Sequence, residues 1–204
     1  MTTVEVNVYK FEELSDIAKE KAREWFRKGN LDYDWWEYVY EFHKEKIEAA
    51  GFDVTNMYFR GFWSQGDGAM FEYDYLNDKL RLEFIDQLGL SPMRKDWLIN
   101  NTTIGGMGKH LGHYYHKKSC DHSIYWDVDN GDLAYGLFYD WLDSFAANFK
   151  EFVIDKYENL CNELYKALEE EYDYLNSDEV VDETIMVNKY DFYEDGIDLD
   201  IKKK

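Results

Sequence analysis

The chain has 204 residues, of which 45 % are hydrophobic and 19 % are aromatic, and this composition excludes an intrinsically disordered protein. Its 43 acidic and 23 basic side chains give a formal net charge of −20, which excludes a general binder of nucleic acid or of anionic membranes. The first residues lack a signal-peptide pattern, and no apolar run approaches the roughly 20 residues that cross a bilayer, so we expect a cytoplasmic protein.

In the first half of the chain, strand patterns alternate with helix patterns. Alternating valines over residues 4–8 predict a strand, and Ser15 is a suitable N-cap for a helix that ends at Gly29. A second helix is expected over about residues 33–50. Two aromatic strands within residues 57–75 predict a hairpin, because a glycine-rich turn joins them.

The middle of the chain, Leu88–Ser123, is expected to be irregular, because it contains the only proline and a cluster of glycines. Two further strands of the same sheet are predicted near residues 114–116 and 122–128, around a turn that contains two lysines. From Asp132 onwards an apolar residue recurs every three or four positions up to Leu175, which predicts one long helix.

The end of the chain carries three weaker patterns. Ser177 is a suitable cap for a short helix, residues 190–192 suit a terminal strand, and residues 197–204 are expected to be a frayed tail. We therefore predict a single α+β domain over residues 1–204, with an antiparallel sheet and packed helices that include one long C-terminal helix. The apolar stripe of that helix either covers the sheet or forms a homodimer interface.

The segment Phe59–Ala69 holds the densest group of glycine and short polar residues. Glycine lets backbone amides approach a ligand closely, and Ser64, Gln65 and Asp67 supply polar groups that orient it. The same segment also fits a simple hairpin turn, in which the glycines supply positive φ and the aromatic residues belong to the core. The sequence leaves both interpretations open.

A positive region lies inside this acidic chain. Leu88–Ser123 contains five basic and two acidic residues, a local formal charge of +3, together with four of the five histidines. Lysine, histidine and backbone amides contact phosphate, and aromatic rings stack on a base, although each residue taken singly also fits a solvated surface. The sequence therefore predicts a nucleotide-like ligand site, with stacking by Trp63, Tyr114 and Trp126, phosphate contacts from Arg60, Lys109, His113 and His116, and a turn of Ser64, Gln65, Gly66, Asp67 and Gly68.

Neither a metal site nor a catalytic centre is predicted. Four histidines and Cys120 lie near one another in sequence, but their spacing on a glycine-broken segment does not match a zinc site. No serine or cysteine lies in a nucleophile motif, so we expect a protein that is not an enzyme and needs no cofactor. Cys120 and Cys161 are expected to be free thiols.

Four segments carry a resemblance to known proteins: Leu14–Trp25, Tyr58–Ala69, Tyr114–His116 and Phe192–Gly196. They resemble a family of small acidic proteins encoded mostly by bacteriophages, and their order covers nearly the whole chain. The resemblance implies a phage origin, an accessory role and the cytoplasm of the host bacterial cell, without a particular activity. Phage accessory proteins of this size often counter host defence, by sequestering a nucleotide signal, inhibiting a nuclease or mimicking DNA.

Two functional hypotheses follow. In the first, a non-enzymatic counter-defence protein sequesters a small host ligand, in particular a nucleotide immune signal. In the second, residues 151–204, with 17 acidic and 6 basic residues, form an acidic surface that mimics DNA and blocks a host nuclease or CRISPR effector. The same acids also suit a solvated helix face. The expected partner is thus a small ligand or a host defence protein, not nucleic acid or a membrane.

Overall fold

A computed structural model describes residues 7–128 and 131–199, and over residues 131–143 it describes the backbone alone. The chain divides into two compact units, of which the first comprises residues 1–37 and 169–204 and the second comprises residues 38–168. The helices are α1 (Asp16–Arg27), α2 (Glu37–Ala50), α3 (Asp78–Gln87), α4 (Pro92–Asn101), α5 (Gly131–Leu175) and α6 (Asp178–Val187), and the strands are β1 (Phe52–Arg60), β2 (Gly68–Leu76), β3 (Thr102–His110) and β4 (Cys120–Val128).

The second unit contains a four-stranded antiparallel sheet in the order β1-β2-β3-β4. β1 and β2 form a hairpin whose last pair is Arg60 with Gly68, and β3 pairs with β4 along its whole length up to His110 with Cys120. The sheet is therefore two hairpins placed side by side.

The two hairpins are joined through the pair Tyr73 and Gly108. A Cβ atom at Gly108 would lie 2.3 Å from the Tyr73 ring and 2.8 Å from the sulfur of Cys120, so the close approach of these strands requires glycine. Because β2 and β3 run antiparallel from this pair, the start of β2 lies beside the end of β3. The connections of both hairpins consequently lie at the same end of the sheet.

The core of the second unit lies between the sheet and α5. Its fully buried aromatic residues include Phe71 and Tyr73 of β2 and Phe149 and Tyr157 of α5. The Tyr157 hydroxyl donates a hydrogen bond of 2.9 Å to the Phe71 carbonyl oxygen, which satisfies a buried polar group at the centre of this core. The apolar stripe of α5 from Phe145 to Leu168 is thus buried within the chain, and a homodimer stays a prediction.

The first unit has a separate core in which α1 and α6 contribute apolar faces. Ala18 and Phe26 of α1 pack with Ile185 of α6 and with Phe192. The side-chain oxygen of Ser15 accepts a hydrogen bond of 3.3 Å from the Ala18 N–H, which caps α1 at the predicted residue.

Most of the predicted architecture is confirmed. The α+β class, the antiparallel sheet and the long C-terminal helix are all present, and Ser177 caps α6 by accepting from the Val180 N–H. α2 begins at Glu37, four residues later than expected from the sequence. The extent of a single domain over residues 1–204 stays a prediction.

The region Leu88–Ser123 is not irregular, and this prediction was wrong. It contains α4 and β3, and α3 just before it was also missed. Pro92 occupies the first turn of α4, where no N–H donor is needed, and the glycines of β3 fit beneath neighbouring side chains, as Gly105 does beneath Tyr125. The strand predicted near residues 114–116 was wrong as well, because these residues belong to the connection between β3 and β4.

The two ends of the chain differ from the predictions in part. The strand predicted over residues 4–8 lies mostly outside the described residues, and the neighbouring Tyr9 exchanges two backbone hydrogen bonds of 2.9 Å with Phe192. The fraying expected from residue 197 is not found at Asp198, which forms a β-bridge with Phe192 and is 4 % exposed. The last five residues of the predicted tail lie outside the described residues.

Candidate ligand-binding site

Two loops meet at the end of the sheet: the hairpin loop, residues 61–67 between β1 and β2, and the β3–β4 loop, residues 111–119. Arg60 Nη1 donates to the His113 carbonyl oxygen at 3.3 Å, across 53 positions of sequence. Gly66, with φ of +95°, lies against the Tyr114 ring, because a Cβ atom there would be 2.6 Å from a ring carbon. We call the surface formed by the two loops the loop junction.

Gly66 of the hairpin loop and Gly68 at the start of β2 allow the close contact between the two loops. A Cβ atom at Gly68 would lie 2.6 Å from the Cβ of His116, so an alanine would push the β3–β4 loop away. The space beside Gly66 and Gly68 is filled by Tyr114 and His116, and the prediction that these two glycines admit a ligand is therefore corrected. The hairpin-turn interpretation holds for Gly66, whose positive φ favours glycine.

Asp67 fixes the shape of the hairpin loop. Its Oδ2 atom accepts hydrogen bonds from the backbone N–H groups of Trp63, at 2.9 Å, and Ser64, at 2.6 Å. A carboxylate that accepts two amide hydrogen bonds is held in one orientation. Asp67 is thus a structural residue, and the two backbone amides that it binds are not available to a ligand.

The loop junction presents aromatic rings to solvent. The Trp63 side chain is 74 % exposed and the Tyr114 side chain is 51 % exposed. Tyr114 and His116 have nearly parallel rings, at 22° and with centroids 6.3 Å apart. Ser64 and Gln65 are exposed at the tip of the hairpin loop. Flat exposed rings of this kind suit stacking on a planar ligand.

Basic side chains lie on the same two loops or directly beside them. Arg60, His113 and Lys118 are exposed, and among the residues that the structure describes neither Arg60 nor Lys118 forms an ion pair. The single hydrogen bond of Arg60 uses Nη1 and leaves its Nε and Nη2 donors available for an anion. The loop junction therefore combines exposed aromatic rings with two basic side chains, Arg60 and Lys118, beside the carboxylate of Asp67.

Lys109, by contrast, forms an ion pair. Its Nζ atom lies 2.5 Å from an Asp74 carboxylate oxygen, and the hydrogen bond with Asp74 raises the pKa of Lys109. The ion pair compensates the ammonium charge on the outer face of the sheet. A phosphate contact by Lys109 competes with Asp74, and it stays a prediction.

Trp126 lies in the core and not at the loop junction. Its ring packs on Phe149 with centroids 5.0 Å apart and on Phe84 at 5.9 Å. It follows Cys120, the first residue of β4, by six positions, which corresponds to about 20 Å along a strand. The prediction that Trp126 stacks on the ligand was therefore wrong, because its side chain packs against buried phenylalanines.

Glu72 is a residue that the sequence did not single out. Its Oε1 atom accepts from the His110 N–H at 2.9 Å, and its Oε2 atom accepts from Asn56 Nδ2 at 2.8 Å and from the Tyr58 hydroxyl at 3.3 Å. Burial opposes the charge of Glu72, but the hydrogen bonds from His110 and Asn56 outweigh it and lower the pKa of this carboxyl group. Glu72 thereby ties β1 and β2 to the residue at which the β3–β4 loop begins.

An aromatic cluster on the same face of the sheet adds to the hydrogen bonds of Glu72. The Tyr58 and Tyr115 rings are stacked at 10° with centroids 5.0 Å apart, and the His110 ring lies 4.8 Å from Tyr115. The only sequence signal was a lone carboxylate, Glu72, between the apolar residues of β2, and it does not reveal these partners. The outer face of the sheet therefore determines where the β3–β4 loop lies.

A second polar cluster lies inside the core. The Tyr73 hydroxyl and His122 Nδ1 are 3.0 Å apart, and the Cys120 sulfur lies 3.8 Å from the same nitrogen. Burial raises the pKa of Cys120 to about 11 and that of Cys161 to about 12, and burial lowers the pKa of His122. At neutral pH these thiols are protonated and the imidazole is neutral, so this cluster holds no activated nucleophile.

The described ranges, 7–128 and 131–199, show neither the side-chain arrangement of a metal site nor a membrane-spanning helix. No group of three histidine, cysteine, aspartate or glutamate side chains there is arranged to hold a metal ion. No helix in these ranges has the length and apolar character to cross a membrane.

Comparison with known proteins places the chain in a family. Residues 35–178, more than two thirds of the chain, match a domain of unknown function, DUF8835. The match includes both loops of the loop junction and the Glu72 anchor. Neither the curated proteins nor the solved structures contain a match. The chain therefore belongs to the DUF8835 family.

Proposed function

We propose that the protein binds and sequesters a small anionic, nucleotide-like ligand at the loop junction and does not change the ligand chemically. The observation that carries the proposal is the contact between the hairpin loop and the β3–β4 loop: Arg60 donates to the His113 carbonyl oxygen and Gly66 lies against the Tyr114 ring. Trp63 and Lys118 are exposed on these same two loops. These residues come from segments about 50 positions apart, and neither segment alone would form the site.

The chemistry of the surface favours a short ligand over a polymer. Stacking of a base on an aromatic side chain contributes about 1–3 kcal/mol, and charged hydrogen bonds from Arg60 and Lys118 select a phosphate. The net charge of −20 repels a polyanion as a whole, whereas a ligand with one to three phosphates is small enough to contact Arg60 and Lys118 alone. A mononucleotide or dinucleotide therefore fits better than DNA or RNA.

Sequestration, as opposed to catalysis, is supported by the state of the nucleophiles. Cys120 and Cys161 have raised pKa values, and His122 contacts Tyr73 and Cys120 in the core. The resemblance to phage-encoded proteins supplies a biological setting for this proposal. In it, the protein acts in the cytoplasm of the host bacterium and removes a nucleotide immune signal.

An acidic mimic of DNA is the alternative proposal, and the first unit gives it less support. Arg23 forms a bidentate pair with Asp182, in which Nε and Nη2 each donate a hydrogen bond of 2.7 Å, and Arg27 pairs with Asp178. These pairs compensate part of the acidic surplus of residues 151–204. A surface that mimics phosphates needs its carboxylates free to meet a basic partner.

The test starts with native mass spectrometry of the purified protein before and after mild denaturation, which reveals a carried ligand. Thermal shift and calorimetry then follow, with cyclic dinucleotides and ADP-ribose derivatives as probes. We expect Trp63→Ala to weaken binding about tenfold, in line with the loss of one stacked base. Tyr38→Ala is the matched control, since Tyr38 is 76 % exposed on α2 and lies outside the loop junction.

Two results would overturn the proposal. One is a protein that releases no nucleotide and shows no thermal shift with any of these probes. The other is binding that Trp63→Ala and Tyr38→Ala weaken equally. In either case a pull-down from host lysate at low and high salt would test the acidic-mimic alternative.

A further inference from the structure

The first unit contains a pocket at the end of α1, which we call the α1 pocket. It has a volume of about 300 Å³, at the lower end of the range for small-molecule sites. Its lining consists of Trp25, Phe26, Lys28, Gly29, Asn30 and Tyr190. Three of these six residues are aromatic and none is acidic, in a chain whose acids outnumber its bases by 43 to 23.

The aromatic walls of the α1 pocket hold one another in place. The Trp25 and Tyr190 rings meet edge to face at 82° with centroids 5.3 Å apart, and Phe26 and Tyr190 do so at 63° and 6.0 Å. Trp25 also meets the buried Phe192 ring at 5.8 Å. Such contacts fix the ring orientations, so the apolar surface of the pocket is formed before any ligand arrives.

The remaining side of the pocket is polar and equally well fixed. The Gly29 N–H donates to the Phe26 carbonyl oxygen at 3.1 Å, and Asn30 Nδ2 donates to the Leu175 carbonyl oxygen at 3.1 Å. A Cβ atom at Gly29 would meet nothing within 4 Å, which shows that this side is open. The second N–H of the Asn30 amide is available to an acceptor.

Lys28 supplies the charge at this open side. It is exposed, and in the part of the chain that the structure describes it forms no ion pair. A ligand that places a ring on Trp25 and Tyr190 can reach the Lys28 ammonium and the Asn30 amide with an anionic group. The volume leaves room for one ring and a short acid group.

From these observations we infer that the α1 pocket is a binding site for a small aromatic carboxylate. The inference does not rest on the proposed function of the loop junction, because every lining residue belongs to the first unit. The pocket also lies outside residues 35–178, which match the family, so it is a feature of this chain beyond the shared domain.

Three probes of one shape test the charge preference on the full-length protein: phenylacetate, the neutral phenylacetamide and the cationic phenethylamine. We expect phenylacetate to bind about fivefold more tightly than phenylacetamide, the effect of one partly exposed ion pair, and phenethylamine to bind most weakly. Calorimetry gives the affinities, and amide NMR shifts at residues 25–30 and 190 locate the bound probe.

Charge reversal at the pocket is the second part of the experiment. We expect Lys28→Glu to remove the preference for phenylacetate, while Lys21→Glu, an identical change at an exposed position of α1, retains it. An Arg60→Glu variant tests whether phenylacetate binds at the loop junction instead. We expect this variant to leave the affinity for phenylacetate unchanged. Equal affinity for all three probes, no binding, or an equal loss in the two lysine variants would overturn the inference.

Discussion

The hairpin loop and the β3–β4 loop are each held by one carboxylate, but over very different distances in sequence. Asp67 accepts from the N–H groups of residues three and four positions before it, whereas Glu72 accepts from the His110 N–H, 38 positions away. The first carboxylate shapes a turn, and the second ties β2 to the last residue of β3, after which the β3–β4 loop begins. Only the second therefore couples the stability of the sheet to the geometry of the loop junction.

Among these substitutions, we expect Glu72→Ala to lower the free energy of unfolding most. The change leaves the His110 N–H, Asn56 and the Tyr58 hydroxyl without their shared acceptor, and we expect a loss of about 2 kcal/mol in the free energy of unfolding. Amide hydrogen exchange over residues 111–119 should accelerate at the same time. Asn56→Ala is the control, because it removes one donor and retains the anchor to His110; exchange that rises equally in both variants would contradict the role of Glu72.

Asp67→Ala should have a smaller and more local effect. It removes the acceptor of the Trp63 and Ser64 N–H groups, both of which reach water in the exposed loop, so we expect a loss of about 1 kcal/mol. Hydrogen exchange should accelerate within residues 61–67 and remain unchanged beyond His110. Faster exchange throughout the β3–β4 loop would show that the two loops are not held independently.

The lowered pKa of Glu72 makes its contribution to stability depend on pH. Because the pKa of Glu72 lies below its ordinary value of 4.5 in the folded protein, the carboxylate contributes stability that is present above pH 4.5 and is lost as the pH falls through the folded pKa. The stability difference between the wild type and Glu72→Gln should therefore be constant near neutral pH and shrink below pH 4.5. Chemical denaturation at several pH values measures it.

Other groups change the stability of both proteins alike. Burial lowers the pKa of His43 and His122 from 6.5, so their contribution to stability declines as the pH falls below 6.5. This decline is common to the wild type and Glu72→Gln and cancels in the difference. A difference that stays constant down to pH 3 would show that the charge of Glu72 is not what stabilises the loop.

Features within a few residues were predictable: the caps Ser15 and Ser177, the hairpin, and the long apolar period of α5. β3 was missed because its glycines, which usually break strands, are explained only by the rings that cover them, such as Tyr73 over Gly108.

In the candidate site, too, contacts between residues distant in sequence were not predictable. Arg60, Trp63, His113, Tyr114 and His116 were predicted as one site, and the structure brings them to the loop junction. The Trp126 prediction failed because its partner Phe149 lies on another element, and for the same reason the sequence did not show that Asp74 pairs with Lys109. Whether a side chain faces solvent or a neighbouring strand depends on register, and the period of two alone does not determine register.

The smallest expected effect distinguishes Lys109 from Lys118. Since Asp74 already compensates Lys109, Lys109→Ala should leave the affinity for a cyclic dinucleotide unchanged, whereas Lys118→Ala should weaken it about threefold, as loss of one exposed ion pair does. Asp74→Asn tests the converse, because it leaves Lys109 unpaired and should strengthen binding if Lys109 can reach the ligand. Equal weakening by the two alanine variants, measured by calorimetry, would mean that the ion pair with Asp74 opens when the ligand binds, and the predicted role of Lys109 would then be supported.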